Sequence, residues 1–388
     1  MPVIQRATAI HHEVTQWRRD FHANPELLYA LHRTAGAVAD RLRSFGCDEV
    51  VPNVGKTGVV GVIRGRKCKS RRAIGMRADM DALPVTESTG LPYASKVRGR
   101  MHACGHDGHT AMLLGAARHL CDTRDFDGSA IVIFQPAEEG GAGGKAMVDD
   151  GLMERWDIKE VYGMHNMPGL PIGQFATRVG PLLAASDSIR IQISGKGGHA
   201  SRPHECVDPV LTASHIVTAL HSIVSRNVDP LASAVISICA IHAGEAENVI
   251  PETCELRGTA RSLTPQVRDL VERRIIEVTK ATARLHGAKA KVTYRRGYPV
   301  TCNHLRQTKF ATNVAAQVVG SNKVDANVTP VMGGEDFSFM LQARPGAFVF
   351  IGNGASAGVH HPKYDFDDKA IPAGISFWAR LAETRMPI

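Results

Sequence analysis

The first 183 residues alternate between helical and strand-like patterns of apolar positions. Apolar residues at three- and four-residue steps, the spacing of one helix face, occur near the start of the chain at Ile10, Val14, Trp17 and Phe21. Further helices are predicted over residues 35–45, with Gly46 as C-cap, and from about Asp107 onward. Short apolar runs at 131–135 and 161–166 predict buried strands. Strands that alternate with helices indicate an α/β fold with a mixed central sheet flanked by helices.

A different pattern occupies the middle of the chain. Residues 188–195 alternate polar and apolar side chains, as a strand with one solvated face does. Amphipathic helices are predicted over 208–225 and 265–286, with alternating strands between and after them. This βαββαβ order predicts a small α+β domain of ferredoxin-like topology inserted into the larger one. The predicted boundaries are residues 184–296 for the inserted domain and residues 1–183 and 297–388 for the larger domain.

Composition is that of an ordinary globular protein. Hydrophobic residues make up 44% of the 388 residues and charged residues 22%, which excludes a disordered chain. No apolar run reaches the ~18 residues that cross a bilayer. The N-terminal residues lack the apolar core of a signal peptide, so we expect a cytoplasmic protein without a membrane partner. The eight cysteines include no CxxC pair, which argues against a disulfide framework.

The positive net charge has a local explanation. Lys and Arg total 46 against 38 for Asp and Glu, a net charge of +8. The densest basic run, residues 64–72 with six cations, lies between two apolar runs and predicts an exposed turn between strands. A nucleic-acid interface usually adds aromatic residues that stack on bases, and this run has none. The charge therefore does not indicate a nucleic-acid partner.

The stretch MHACGHDGHTA, residues 101–111, concentrates possible metal ligands. It contains three histidines and a cysteine in eleven residues: His102, Cys104, His106 and His109. Thiolates and imidazoles bind zinc, manganese or cobalt in proteins. A polar loop with Asp107 as helix N-cap is the alternative, but it does not explain why these four residues occur together.

Acidic and histidine side chains also follow several predicted strands. Glu138 and Glu139 come after the strand at 131–135, and one could bind a metal while the other acts as general base. The other residues at strand ends are Asp79, Asp81, His165, His360 and His361. Because ligands of open α/β sheets bind at the carboxyl ends of the strands, these residues could together hold two divalent cations with a water between them.

Other chemistries are compatible with some of these residues. The sequence Gly354-Ala355-Ser356-Ala357-Gly358 matches the nucleophile elbow G-x-S-x-G, but that motif requires a helix directly after the serine, and none is predicted. Cys104 could act as a nucleophile with a neighbouring histidine as base. A non-catalytic metal-binding or nucleic-acid-binding protein is a third possibility, although such a site has no use for a general base.

The whole chain resembles one family of enzymes. The motifs that carry the resemblance are, in order, RRDFHANPEL, GMRADMDALP, HACGHDGHTA, QPAEEGGAGG, GKGGHAS, NVIPE, MGGEDFSF and HHPKYDFDD. They are similar to those of the metal-dependent amidohydrolases that include hippurate hydrolases, N-acyl-amino-acid amidohydrolases and plant auxin-conjugate hydrolases, in the aminoacylase and carboxypeptidase clan. The resemblance implies a catalytic domain with a dinuclear site and an inserted dimerisation (lid) domain.

The resemblance also implies roles for individual residues. The implied metal ligands, for two Zn²⁺, Mn²⁺ or Co²⁺ ions, are Cys104, His106, Glu139, His165 and His360. Glu138 would be the general base, and Asp81 would orient a residue of the site. His199 would be contributed by the lid of a partner subunit in a homodimer or tetramer, and Asn248 and Arg261 would bind the substrate carboxylate. The implied reaction is hydrolysis of N-acyl amino acids, with dipeptidase or carboxypeptidase activity as the alternative.

Overall fold

The structure is a computed structural model that describes residues 5–388. Its α-helices are α1 (Gln5–Ala9), α2 (His11–Ala23), α3 (His32–Ser44), α4 (His106–Thr123), α5 (Gly143–Asp149), α6 (Leu152–Arg155), α7 (Pro209–Asn227), α8 (Pro265–Leu285), α9 (Leu305–Val319), α10 (Phe337–Ala343) and α11 (Ile371–Arg385). Short 3₁₀ turns lie at Pro203–Glu205, Ser321–Lys323 and Asp368–Ala370. Within residues 5–388, no helix has the length and apolar character required to cross a membrane.

The strands follow the same order along the chain. They are β1 (Glu49–Val54), β2 (Gly58–Arg64), β3 (Ala73–Asp79), β4 (Ser129–Gln135), β5 (Glu160–Met167), β6 (Phe175–Ala176), β7 (Gly180–Leu183), β8 (Ala185–Ser194), β9 (Gly198–His199), β10 (Ala234–His242), β11 (Val249–Ile250), β12 (Thr253–Ser262), β13 (Lys289–Tyr298), β14 (Thr301–Asn303), β15 (Val324–Asp325) and β16 (Gly346–Gly352).

The chain folds into two compact units. Unit 1 comprises the residues up to Gly180 together with Cys302–Thr329 and Asp336–Ile388. Unit 2 comprises Pro181–Thr301 and Pro330–Glu335. Each unit has its own apolar core.

Unit 1 is built on a mixed eight-stranded sheet in the order β1-β2-β4-β3-β5-β16-β6-β15. The central strands β4, β3, β5 and β16 run parallel to their neighbours within this group, whereas β1 and β2 are antiparallel. Strands β3 and β16 are buried along their whole length, as expected for central strands covered on both faces. The predicted α/β class with a mixed central sheet is confirmed.

Helices cover both faces of this sheet. In β16, Val349 belongs to the same core cluster as the buried residues of α4 and α11. Its neighbour Phe348 points to the opposite face, where its ring contacts that of Phe337 in α10 at 5.5 Å between centroids. The parallel strands end at one edge of the sheet, where Asp79 is paired with Gln135 in register. This edge carries the candidate site.

Unit 2 has the βαββαβ order that the alternating pattern predicts. Its antiparallel sheet has the order β10-β12-β8-β13, and α7 and α8 pack on one face. Alternate residues of β8 are buried against these helices, and the intervening polar residues form an open face. Helix α7 begins after Asp208, whose carboxylate accepts hydrogen bonds from the Val210 and Leu211 amides, the usual role of an N-cap.

Local expectations about turns are also met. Residues 65–72, which contain most of the basic run, form a largely exposed connection between β2 and β3. No helix follows Ser356 directly; the next residues are irregular until the 3₁₀ turn at Asp368–Ala370. The nucleophile-elbow interpretation is therefore wrong for this sequence, because its helix is missing.

Candidate metal centre

The start of helix α4 depends on a glycine. Gly105 occupies the N-cap position with φ of 90°, and the helix begins at His106, so Asp107 lies in the first turn and is not the cap. A Cβ at Gly105 would lie 2.2 Å from Asn166 Nδ2 and 2.4 Å from Tyr364 Oη. Only glycine adopts this conformation without strain and leaves that space. Cys104 and His106 lie directly before and after this tight turn at Gly105.

The two glutamates follow strand β4 through another unusual turn. Ala137 has φ of 52°, a left-handed conformation that is uncommon for residues with a side chain. Asp81, just beyond β3, accepts hydrogen bonds from the backbone amides of Glu138 at 2.9 Å and Glu139 at 3.0 Å. Asp81 therefore holds the backbone of the glutamate pair in place.

Side chains from these elements converge within unit 1. Cys104 Sγ lies 3.3 Å from His165 Nε2, and His360 Nε2 lies 3.3 Å from Glu139 Oε1. Among the described residues, five groups have potential ligand atoms within 4.8 Å of one another, and three of them join residues predicted as ligands or base: Cys104–His106–His165, Cys104–Glu139–His360 and His106–Glu138–Glu139. Because the groups share members, they form one continuous cluster of potential metal ligands. His361 instead accepts a hydrogen bond from the Lys363 amide through Nδ1.

Some buried polar atoms of this cluster lack hydrogen-bond partners, as expected for atoms that bind a metal ion. Both ring nitrogens of His106 are buried and have no hydrogen-bond partner among residues 5–388, and the buried Oε1 of Glu139 has only the ion pair with His360 beside it. The carboxylates nearest to His106 are 3.5 Å away at Asp81 and 3.6 Å away at Asp79, beyond good hydrogen-bond distance. Buried polar atoms left in this way are costly, and a metal ion between them would satisfy the nitrogen and oxygen lone pairs.

The electrostatics of the cluster also favour a cation. Burial and the neighbouring carboxylates of Glu139 and Glu138 raise the pKa of Cys104 well above its usual value. Burial lowers the pKa of His106, but Asp79 and Asp81 outweigh it and raise that pKa to about 10. The surroundings are therefore strongly negative. A bound cation would reverse these preferences, since it stabilises a thiolate and neutral imidazoles.

A backbone hydrogen bond orients the ring of His165 in the way typical of metal-binding histidines. Its Nδ1 donates to the backbone carbonyl of Asn166 at 2.7 Å, which leaves Nε2 as an acceptor that faces Cys104. Burial and the nearby His109 lower the pKa of His165 well below its usual value. A neutral imidazole with one nitrogen fixed by a hydrogen bond is the usual form of a metal-binding histidine.

His109 supports the cluster and is not itself a free donor. Its Nδ1 bonds to Asp79 at 2.6 Å, and its Nε2 accepts a hydrogen bond from the Asn166 amide at 2.9 Å. Both ring nitrogens are therefore engaged. The sequence pattern does not show that His106 is a potential ligand and His109 a supporting residue. That distinction depends on the hydrogen bonds of His109 to Asp79 and Asn166, which belong to two other strands.

A buried polar network beneath the cluster was not predicted. Arg77 in β3 is fully buried and donates to Gln135 Oε1 at 2.9 Å, Asp79 Oδ2 at 2.7 Å and Asp336 Oδ1 at 3.1 Å. Asp336 also accepts from the Gly144 amide at 2.7 Å. An arginine inside an otherwise apolar strand was the signal that could have revealed it, because a buried guanidinium requires anionic partners.

A second network holds the first turn of α4. Arg18 Nε lies 2.9 Å from Asp107 Oδ2, and both side chains are completely buried. His22 bonds to the same Asp107 oxygen at 2.8 Å and to Glu87 at 3.3 Å. The motif RRDFHANPEL, predicted only as a helix from its apolar residues, thus fixes the helix that begins at His106.

The remaining residues with implied roles belong to unit 2. His199 lies in β9 and is paired in register with Val249 of β11, and the Ala200 amide donates to the carbonyl of Asn248 at 3.0 Å. Both His199 and Asn248 are exposed. Arg261 lies in β12, where it is paired with Ser186 of β8 and Val235 of β10. Unit 2 therefore places His199 beside Asn248, with Arg261 on its four-stranded sheet.

The α/β sheet of unit 1 and the Cys, His and Glu donors at its carboxyl edge define the class of metal-dependent α/β hydrolases. The chain belongs to the peptidase family M20/M25/M40, whose family model matches residues 75–384. The family resemblance drawn from the motifs is confirmed.

Individual relatives cover nearly the whole chain. It is 42% identical over 382 residues to a hippurate hydrolase of Campylobacter jejuni, covering 98% of this chain and 99% of the relative. It is 40% identical to thermostable carboxypeptidase 2 of Saccharolobus solfataricus, covering 95% and 94%. Among solved structures, the Bacillus subtilis YXEP protein, described as a dinuclear metal-binding peptidase of the M20 family, matches with a TM-score of 0.85 and 33% identity over 98% and 99% of the two chains.

Proposed function

We propose that this protein hydrolyses the amide bond of N-acyl amino acids and releases a carboxylic acid and a free amino acid. The observation that carries the proposal is the position of Glu138, a buried carboxylate beside the Cys, His and Glu donors. A metal-storage site would not need this extra acid, whereas hydrolysis needs a general base. The similarity to a hippurate hydrolase over almost the full length of both chains supports the same reaction class.

Five residues would hold two divalent cations: Cys104, His106, Glu139, His165 and His360. When bound, such cations lower the pKa of a water molecule to near 7 and polarise the substrate carbonyl. The mixed donor set of thiolate, imidazole and carboxylate suits zinc, manganese or cobalt. Asp81 would act through the backbone, because it holds the amides of both Glu138 and Glu139.

Glu138 would move the proton. It would accept a proton from the attacking water and deliver it to the nitrogen of the leaving amino acid, which needs one carboxylate within reach of both. His199 of a second copy of the chain would donate a hydrogen bond to the oxygen anion that forms on the substrate carbonyl. Asn248 and Arg261 would bind the substrate carboxylate, with Arg261 able to form two parallel hydrogen bonds.

The substrate class is tested with a panel of N-benzoyl and N-acetyl amino acids and dipeptides, assayed with metal-reconstituted protein. We expect turnover of the N-acyl amino acids and loss of all activity after exhaustive chelation. Higher kcat/KM for dipeptides would instead favour a dipeptidase or a carboxypeptidase; the Saccharolobus relative is named a carboxypeptidase. A trapped acyl-thioester and full activity without metal would favour Cys104 as a nucleophile.

The general base is tested with Glu138→Gln. A positioned general base contributes roughly 10²–10⁴-fold, so we expect kcat to fall by at least about 100-fold while two metals per chain are retained. Glu13→Gln, which removes an exposed carboxylate on α2, is the matched control and should turn over normally. Turnover by Glu138→Gln at the wild-type rate would contradict the assignment.

The contribution of His199 from a second copy is tested by mixing inactive variants. In a dimer that carries one His199→Ala chain and one Glu138→Gln chain, one of the two sites has both residues intact only if His199 acts between copies. Random exchange should then restore about one quarter of wild-type activity. If His199 acts within its own chain, both sites of the mixed dimer lack one residue and the mixture stays inactive.

A further inference from the structure

The open face of the unit 2 sheet carries an unbalanced positive charge. The face turned away from α7 and α8 presents one acidic residue among the described strands β8, β10, β12 and β13, Glu255. The cations on the same face, given by the alternation of side chains along each strand, are Arg190, Arg257, Arg261, Lys289, Lys291 and Arg295. Only part of this charge is neutralised by neighbours.

Three arginines on this face lie in adjacent rows across neighbouring strands. Arg257 is paired in register with Arg190, which is paired with Thr293. In the next row, Ser188 is paired with Arg295. Paired residues on one face have Cβ atoms about 4.5–5.5 Å apart, and like charges placed directly opposite each other are destabilising. The three arginines are therefore close enough to contact one ligand. Their mutual repulsion is unfavourable for folding unless an anion lies among them.

Glu255 orients two of these guanidinium groups. Its two carboxylate oxygens accept hydrogen bonds of 2.5 Å from Arg190 Nε and Arg257 Nε. Each guanidinium group keeps further N–H donors, and both side chains remain 58% exposed. Arg296, the chain neighbour of Arg295 on the other face, pairs with Asp269 and Glu272, whereas Arg295 has no ion pair with a carboxylate within residues 5–388. Three guanidinium groups and one carboxylate leave a net charge of about +2, which matches a dianion.

The same residues line a cavity. A depression of about 380 Å³ is lined by Ser188, Ile189, Arg190, Arg257, Gly258, Thr293 and Arg295. This volume lies within the range of sites for small molecules. Among the described residues, no aromatic side chain lines the depression, so it lacks the stacking surfaces typical of single-stranded nucleic-acid binding. Two hydroxyl groups and three planar guanidinium forks are the donors that a phosphoryl group accepts.

We propose that Arg190, Arg257 and Arg295 form a binding site for the phosphoryl group of a small molecule on the open face of the unit 2 sheet. Ser188 and Thr293 supply hydroxyl donors, and Glu255 holds Arg190 and Arg257 in position. The ligand is either free phosphate or a phosphate monoester, because both present the same dianionic oxygens.

The test is calorimetric titration of the full-length, metal-loaded protein with inorganic phosphate and with glycerol 3-phosphate. We expect one binding site outside the metal centre, and Arg295→Gln should weaken it by at least about tenfold, as expected for loss of a charged hydrogen bond. Arg284→Gln removes an exposed charge from α8, on the other face of the sheet, and should change the affinity less than about twofold, as expected for a distant exposed charge. Tighter binding of glycerol 3-phosphate would identify a monoester as the ligand, and equal affinities would identify free phosphate.

Further variants and measurements separate this site from its alternatives. Arg295→Lys keeps the charge but not the fork and should bind with intermediate affinity, which excludes a simple loss of folding. Phosphate binding that is unchanged in Arg295→Gln, or that disappears with the metal ions, would overturn the proposal. Salt-sensitive binding of duplex DNA without binding of either small phosphate would also overturn it, because the face would then recognise a polyanion.

Discussion

The buried histidine at the start of the chain provides a quantitative test of the structure. Burial lowers the pKa of His22, but its hydrogen bonds to Asp107 and Glu87 outweigh burial and raise the pKa to about 9 from an ordinary value of 6.5. His22 is therefore a cation in the folded protein at neutral pH, held between two carboxylates. Its proton contributes to the stability of unit 1.

The direction and size of this contribution follow from the shift. The folded-state pKa lies above the unfolded one, so the stabilisation is fully present below pH 6.5 and is lost as pH rises through 9. Because a tenfold change in proton affinity is worth about 1.4 kcal/mol, the rise of the His22 pKa from 6.5 to about 9 corresponds to about 3 kcal/mol. This contribution is the net effect of the two carboxylates after the opposing effect of burial.

The measurement is urea unfolding of wild type and His22→Gln at pH 6, 7.5 and 9.5. Tryptophan fluorescence reports on unit 1, because Trp17, Trp156 and Trp378 all belong to it. We expect the difference between the two proteins to be largest at pH 6 and to shrink by about 3 kcal/mol by pH 9.5. His204→Gln is the matched control, since the His204 side chain is 76% exposed.

One result would refute this reasoning. If the difference between wild type and His22→Gln is the same at all three pH values, His22 does not carry a proton that depends on the fold. Metal binding is itself pH-dependent, so all proteins are compared at the same measured metal content. The control His204→Gln should follow the wild-type curve throughout.

Three further predictions concern the supporting residues. Arg77→Met leaves buried carboxylates without their cation and should lower the free energy of unfolding by about 3–5 kcal/mol; a loss in urea titrations below about 1 kcal/mol would contradict the network. Gly105→Ala should lower the melting temperature and the metal content far more than Gly46→Ala. Both glycines have positive φ, but a Cβ at Gly105 would clash with Asn166, whereas a Cβ at Gly46 meets no described atom within 4 Å. Equal effects of the two substitutions would show that backbone strain alone, and not the clash, accounts for the loss. Asp81→Ala should weaken metal binding by about 10- to 100-fold in competition with a chelator, and unchanged affinity would show that the glutamate pair holds its position unaided.

The sequence predicted the elements well where apolar periodicity was strong. The helices at α2, α7 and α8 and the strands at β4 and β8 appear within a few residues of their predicted positions, because each has one face or both faces buried. Helix α4 begins at His106, within one residue of the predicted position near Asp107, but its N-cap is Gly105 with positive φ and not the side chain of Asp107.

The candidate site was partly predictable for a different reason. Cys104 and His106 are close in sequence, and strand-end residues of parallel strands must share one edge of the sheet. Long-range partners could not be inferred from one sequence, because nothing local relates Arg77 to Asp336, which is 259 residues away. The same holds for the thiols of Cys47 and Cys121, whose sulfur atoms lie 3.5 Å apart although neither belongs to a motif.

The contact between Arg77 and Asp336 has a consequence for synthesis of the chain on the ribosome. At about 5–20 residues per second, the 259 residues between them take roughly 13–50 s to translate. During that interval the hydrogen-bonding edge of β5 that later pairs with β16 is also unmatched. The four strands of the unit 2 sheet, by contrast, all lie within Pro181–Thr301 and are complete before β16 begins. The nascent chain therefore contains every strand of the four-stranded unit 2 sheet while β5 of the unit 1 sheet still has an open edge, and an open edge is prone to mispairing.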